Sequence, residues 1–324
     1  MLFKAALSIS LVSWIASRAD LSQLRVIIAN ADARFLAAAF SLYFVGYVIV
    51  SLRWRILLHA QGVNPPLGRL IESFAVSVFF NNILPSTVGG DLSRAFDSWR
   101  FGSSKSAALI VVVVDRFIGM SAMFLLAGTA FLAAPGAIAG IPALQTMMAV
   151  FFAVIVASGL FLFGAPRAPV SRIAGTLSNL PGFPGRLSKK LVHGVSAYWG
   201  RNRELTRALL LSLLLQLVVI VHFMLIAEGL DATIAPAAMF IVIPAILVVM
   251  MIPITINGIG VREAAFVYFF SFYGVGDEKA LAMAWVQFGF VLLQGLLGGL
   301  VFLLRRGSGR SPAPNAGRDD AGGY

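Results

Sequence analysis

Residues 208–227 read ALLLSLLLQLVVIVHFMLIA, twenty consecutive residues without a formal charge. About 20 apolar residues, at 1.5 Å of rise each, carry a helix across the hydrocarbon core of a bilayer. A charge at mid-bilayer costs roughly 2.5 kcal/mol or more, so charge-free runs mark spans. Outward from this stretch, further runs cover 5–17, 35–52, 73–90, 117–166, 232–261, 264–276 and 280–304. The run 117–166 is too long for one helix. Pro135, Gly136, Gly140 and Pro142 in its middle predict two spans joined by a short hairpin. The other full-length candidates lie near 35–57, 206–228, 234–253 and 278–304.

The composition agrees. Among 324 residues, 25 Lys and Arg and 14 Asp and Glu make up 12%, about half the charged share of a soluble chain. Hydrophobic residues reach 59% and the mean hydropathy is +0.89. Those values exclude a soluble enzyme and a disordered chain, and the absence of cysteine excludes a disulfide scaffold. With three histidines and no cysteine, no metal centre is expected, and no P-loop, dinucleotide fingerprint or catalytic triad is present. No cofactor is expected. The net charge of +11 is a topology signal before it is a nucleic-acid one, and no nucleic-acid partner is expected.

Loop charges set the expected orientation. Residues 165–207 hold eight basic side chains against Glu204 alone, the link at 135–142 has none, and 229–233 has only Asp231. The basic loop is therefore expected in the cytoplasm, as either a solvated loop or a surface helix at 186–199. The run 5–17 is expected to be a retained span and not a signal peptide. Residues 1–304 form the expected membrane domain, and 305–324 a disordered cytoplasmic tail. Arg53, Arg55, Arg69, Arg94, Arg100 and Lys105 flank the run 73–90 on both sides, which predicts that this run dips into the membrane and returns if all of them are cytoplasmic, or crosses it fully and leaves some of these arginines outside. The fold expected is an all-α, multi-pass protein of the bacterial inner membrane, with about eight membrane helices.

Two apolar runs are interrupted in the same way: Ile83-Leu84-Pro85-Ser86-Thr87-Val88-Gly89-Gly90-Asp91-Leu92-Ser93-Arg94 and Met251-Ile252-Pro253-Ile254-Thr255-Ile256-Asn257-Gly258-Ile259-Gly260-Val261-Arg262. Aligned on the proline, Pro85/Pro253, Thr87/Thr255, Gly90/Gly258 and Arg94/Arg262 coincide. Paired, Pro/Gly-interrupted segments in two halves of a membrane chain point to a transporter site. Ordinary kinks or loop ends would give the same pattern. Glycines that turn the backbone at positive φ and an arginine one turn into the following helix suit a phosphate. Arg94 and Arg262 are the candidate ligands, with Gly89, Gly90, Gly258, Gly260 and Asn257 allowing close approach. Asp91 and Glu263 fit two roles: charge partners of those arginines, or gates that release them to an arriving phosphate. Asp115-Arg116 follows Val111 to Val114. It sits at the interface if the helix starts after it, and two and a half turns deep if the helix starts at Ser106. His222 and Glu228 are a weaker candidate for a proton relay. Gln216, Gln287 and Gln294 fit interhelical hydrogen bonds, and Gly295, Gly298 and Gly299 a close-packing face.

The ordered set Asn81-Asn82-Ile83-Leu84-Pro85 to Arg94, Asp115-Arg116-Phe117, and Pro253 through Asn257-Gly258-Ile259-Gly260-Val261-Arg262-Glu263 resembles the transmembrane (flippase-like) domain of lysylphosphatidylglycerol synthases. The likeness runs from about residue 5 to 304. It implies movement of an anionic phospholipid, or of a polyprenyl-phosphate-linked precursor, between leaflets. The chain stops about 20 residues after its last span, so the soluble aminoacyl-transfer activity is not expected to carry over. Two alternatives stay open: an intramembrane enzyme acting on a lipid phosphate, and a non-catalytic partner of a membrane enzyme docking through 165–207.

Overall fold

The computed structural model of the chain describes residues 20–84, 88–133, 146, 152–153, 156, 198, 200–232, 234–251, 255 and 258–307. Among them all regular structure is helical. The helices are α1 Leu21–Ala29, α2 Ala33–His59, α3 Leu67–Ile83, α4 Val88–Arg100, α5 Lys105–Ala133, α6 Asn202–Gly229, α7 Pro236–Met251, α8 Val261–Ser271 and α9 Asp277–Gly307. Four of them, α2, α5, α6 and α9, are long and apolar enough to cross a membrane. The expected spans at 5–17 and in the second half of 117–166 lie outside the described residues, as do the loop 165–197 and the tail beyond 307. Of the expected crossing at 234–253, the described part is α7, 16 residues or about 24 Å at 1.5 Å each; residues 252–254 lie outside the described residues.

The remaining apolar helices form two hairpins. Helix α3 ends at Ile83, and Leu84 is extended (φ −80°, ψ 137°), as a residue before proline must be. Helix α4 then returns along α3. The Gly90 N–H donates to Asn81 Oδ1 at 2.8 Å. A Cβ on Gly90 would lie 2.5 Å from the Ser77 carbonyl oxygen, so only glycine permits the approach. At the other end, Arg305 ties Ser73 of α3 to Asp97 of α4. Those two levels make the pair antiparallel, and the run 73–90 turns back, the first of the two expectations. Helices α7 and α8 form the second hairpin, with Met250 of α7 against Gly258 before α8.

Among the described residues, the order after α1 is long helix, hairpin, long helix, twice over: α2, α3/α4, α5 and then α6, α7/α8, α9. Packing repeats with it. Helix α2 packs on α6, α4 on α5 as α8 on α9, and each hairpin's first helix on the last helix of the other half (α3 on α9, α7 on α5). Helices α2 and α6 run antiparallel, because the Asp32 N–H donates to the Gly229 carbonyl at one end and Arg53 reaches Ser212 towards the other. The repeat is inverted, a construction common among transporters. One end of the bundle carries Arg69, Arg100, Lys105, Arg201, Arg203, Arg207 and Arg305. The other carries Asp32, Glu228, Asp231, Asp277 and Glu278 with fewer cations. We call them the basic and acidic ends.

Candidate functional site

Asp115 settles the position of its own pair. Helix α5 begins at Lys105, so Asp115 lies ten residues, about 15 Å, from the basic end and is 1% exposed. A carboxylate in hydrocarbon must be paired. Arg53 of α2 donates to both its oxygens, Nε to Oδ1 at 2.5 Å and Nη2 to Oδ2 at 3.0 Å. Arg94 of α4 donates through Nη2 to Oδ2 at 2.9 Å. The Arg53 guanidinium also donates to Ser212 Oγ on α6 at 2.8 Å. Arg94 stacks over Trp54 (4.7 Å to the ring centre), and Trp54 Nε1 donates to Ser98 Oγ. Two buried arginines thus share one aspartate. Arg94 Nε is buried with no hydrogen-bond partner among the described residues.

Beside this cluster, Arg116 pairs with Asp91 in a more exposed position. The five side chains line one cavity of about 310 Å³, with Asn81, Gln216 and Met251 among its other walls. Three arginines face two aspartates there, a surplus of one positive charge. Asp91 was a candidate partner of Arg94, and that is corrected: Asp91 pairs with Arg116, and Arg94 with Asp115. Successive residues on a helix point about 100° apart, so Asp115 turns into the bundle while Arg116 turns to the cavity mouth. A second cavity of about 340 Å³ lies between α3, α4 and α9. It is walled mostly by apolar side chains, Phe80, Leu92, Phe96 and Phe302 among them, with Arg100 and Arg305 on its lining.

The two glycine pairs behave differently. Gly258 (φ 74°) and Gly260 (φ 86°) hold the expected left-handed backbone. Gly89 and Gly90 do not; they lie inside α4, where the absent side chain serves close packing on α3. The arginines differ too. Arg94 is the seventh residue of α4 and Arg262 the second of α8. Glu263 reaches back to accept the Gly260 N–H at 2.6 Å and accepts from Arg262 Nη2 at 2.6 Å. The Arg262 guanidinium lies 4.3 Å from the ring centre of Phe288 on α9. The anion position at the start of α8 already holds the protein's own carboxylate. Among the described residues, Arg262 is not on the lining of the cavity of Arg94, and Met251 is that lining's point of approach to the second break. Pro85, Pro253 and Asn257 lie outside the described residues.

Arg53 and Ser212 were not legible as site residues. Arg53 terminates the charge-free run 35–52 and looks like a loop boundary, yet α2 continues to His59 and carries it nearly two turns inside. The apolar residues Trp54, Ile56, Leu57 and Leu58 were the available signal. Among the described residues, no group of three or more metal-ligating side chains occurs.

The geometry can be set beside known proteins. The family described as the lysylphosphatidylglycerol synthase TM region matches residues 1–299. A UPF0104 membrane protein of Pyrococcus horikoshii is 24% identical over 301 residues, covering 86% of this chain and 89% of its own. Another UPF0104 membrane protein, from Methanothermobacter thermautotrophicus, is 37% identical over 62 residues, 19% of this chain and 18% of its own. No solved structure matches. The chain is a helical membrane protein and belongs to the lysylphosphatidylglycerol synthase transmembrane-region family.

Proposed function

We propose that the protein moves an anionic phospholipid or a polyprenyl-phosphate-linked precursor between membrane leaflets, and that the phosphate rests in the three-arginine cavity. The observation that carries this reading is the surplus positive charge on the cavity of Arg53, Arg94, Arg116, Asp91 and Asp115. A cation without its own counter-ion at membrane depth is costly, and an arriving phosphate relieves that cost. The Nε of Arg94, without a hydrogen-bond partner among the described residues, supplies a directed donor. On the other face of α4, the apolar cavity suits an acyl or prenyl chain. In the second hairpin Glu263 acts as a gate, yielding Arg262 when a head group reaches the turn at Gly258 and Gly260. The basic end faces the cytoplasm, as positive-inside orientation requires. No covalent step is involved.

The test is a leaflet-specific assay in reconstituted vesicles containing a labelled anionic lipid. It compares wild type, Arg94→Ala, Arg262→Ala and protein-free vesicles. A charge-assisted hydrogen bond is worth about 1.5–3 kcal/mol, so Arg94→Ala should slow exchange by roughly ten- to hundredfold. Equal exchange in all four preparations refutes the reading.

A further inference from the structure

The inverted repeat relates the arginine cluster to a second buried group. Arg53 and His222 each lie twenty residues after the first residue of their long helix, α2 and α6. Asp115 and Gln287 each lie ten residues after the start of α5 and α9. Ser212 and Tyr43, the third members, each lie ten residues into α6 and α2. The contacts repeat as well. Arg53 bonds Asp115 and Ser212. His222 Nε2 lies 2.7 Å from Gln287 Oε1, Tyr43 donates to that same oxygen at 2.9 Å, and the Tyr43 and His222 rings are 4.7 Å apart. One half therefore buries a permanent cation on a carboxylate, and the other buries an imidazole on a neutral amide at the equivalent place.

Both ring nitrogens of the imidazole face acceptor oxygens. His222 is 5% exposed. Its Nδ1 lies 2.9 Å from the Ala39 carbonyl, which can only accept, so Nδ1 carries a hydrogen in every state. Nε2 faces the amide oxygen of Gln287, which also accepts, and that contact is satisfied when Nε2 is protonated too. When His222 is neutral, Gln287 turns its amide end over end and donates to Nε2 instead. Each protonation state thus keeps both ring nitrogens bonded, and only one N–H bond is made or broken. The ring lies seven residues, about 10 Å, from the acidic end of α6. The side chains facing it are Tyr43 of α2, Gln287 and Phe290 of α9 and Phe223 of its own helix. Among the described residues, charges on these elements sit at the acidic end (Glu228; Asp277, Glu278 and Lys279; the Asp32–Arg34 pair), at or near the basic end (Arg53 and Arg55 of α2; Arg203, Glu204 and Arg207 of α6; Arg305 and Arg306 of α9) or, on α8, in the Arg262–Glu263 pair.

We propose that His222 is a proton-binding site, the titratable counterpart of Arg53. A proton taken up from the acidic end makes the second half cationic and is coupled to the lipid step. The coupling rests on the translocation reading above; the proton site does not.

The chain has three histidines, so His59→Asn/His193→Asn leaves His222 as the sole one. Nitrogen-15 histidine spectra of that variant in nanodiscs, from pH 5 to 8, should show both ring nitrogens protonated at the acid end and one at the other. Gln287→Leu should shift the midpoint, and this arm needs no change to His222. In vesicles, one lipid moved per proton gives about a tenfold leaflet bias for each unit of imposed pH gradient. His222→Gln should abolish that bias while exchange without a gradient persists. A single neutral form across the pH range overturns the proton site even if lipid moves. A bias that survives His222→Gln overturns the coupling. Titration without lipid movement under any gradient leaves the proton site standing and refutes both translocation and coupling.

Discussion

Replacing Asp115 with asparagine keeps the shape of the side chain and removes the charge on which two guanidinium groups converge. Three hydrogen bonds end on its two oxygens. Asparagine leaves one oxygen to accept and turns an NH2 group, a donor, towards guanidinium donors. Removing one partner from a buried ion pair costs about 3–5 kcal/mol. A second route gives a similar size. Arg53 Nη2 and Arg94 Nη2 lie 3.0 and 2.9 Å from the same oxygen, so the two cations are at most about 6 Å apart. With the carboxylate gone, their repulsion is about 3 kcal/mol at an effective dielectric of about 20. Reversible unfolding in mixed detergent micelles should show Asp115→Asn destabilised by about 3–5 kcal/mol. Removing one cation as well, in Arg53→Met/Asp115→Asn, should recover about half of that loss, with a coupling energy above about 1 kcal/mol. Two outcomes refute the reasoning: a cost for Asp115→Asn below about 1 kcal/mol, or strictly additive single effects.

Three further outcomes follow from the same geometry. Gly90→Val forces side-chain atoms into the Ser77 carbonyl and Asn81; it should cost about 1–3 kcal/mol and open the hairpin to proteolysis near 84–88, whereas Gly68→Ala, which meets nothing within 4 Å, should not. The chain has no cysteine, so single cysteines at Arg203 and Lys279 report the ends directly; an impermeant maleimide should label them from opposite sides of sealed vesicles, and labelling from one side contradicts a crossing by α6, because Lys279 meets Asp231 just past its far end. Arg305→Ala strips the guanidinium from Asp97, which is 4% exposed; it should lower stability by about 3 kcal/mol, and Asp97→Ala on that background should restore most of it.

The membrane class was legible because each span must exclude charge, and the run 208–227 became α6 with little change in bounds. The first break was legible because the residue before a proline is driven out of the helix, as Leu84 is, and the second because Gly258 and Gly260 turn the backbone at positive φ. Partners across helices were not. Asp91 and Arg94 are three residues apart in sequence, yet each is held by a residue of α5, twenty or more positions away. Nothing local distinguishes an aspartate that pairs within its helix from one that faces a neighbouring helix. The match between Arg94 and Arg262 was real as sequence and misleading as geometry. Their helices start at different points relative to the proline, so one arginine enters a shared cavity and the other meets its own glutamate. Arg53 failed for a different reason. A charge at the edge of an apolar run looks the same whether the helix ends there or continues two turns, and only the packing of Trp54 and Leu57 decides.

An inverted repeat places equivalent groups near opposite ends of the bundle, about 9 Å in for Arg53 and 10 Å for His222. If both groups were permanent cations, a phosphate would bind equally well at either end. A ligand with equal affinity for two states shifts neither. If the second were permanently neutral, the lipid step would run without bias, coupled to no gradient. Directional movement needs a second site whose charge can be set and then withdrawn. Arginine cannot lose its proton under physiological conditions, and histidine can. Exchanging arginine on aspartate for histidine on glutamine, at matched positions of the two halves, is the smallest change that meets both requirements. The neutral amide matters as much as the imidazole. A carboxylate at Gln287 would neutralise the protonated ring and cancel the charge that proton uptake adds to this half.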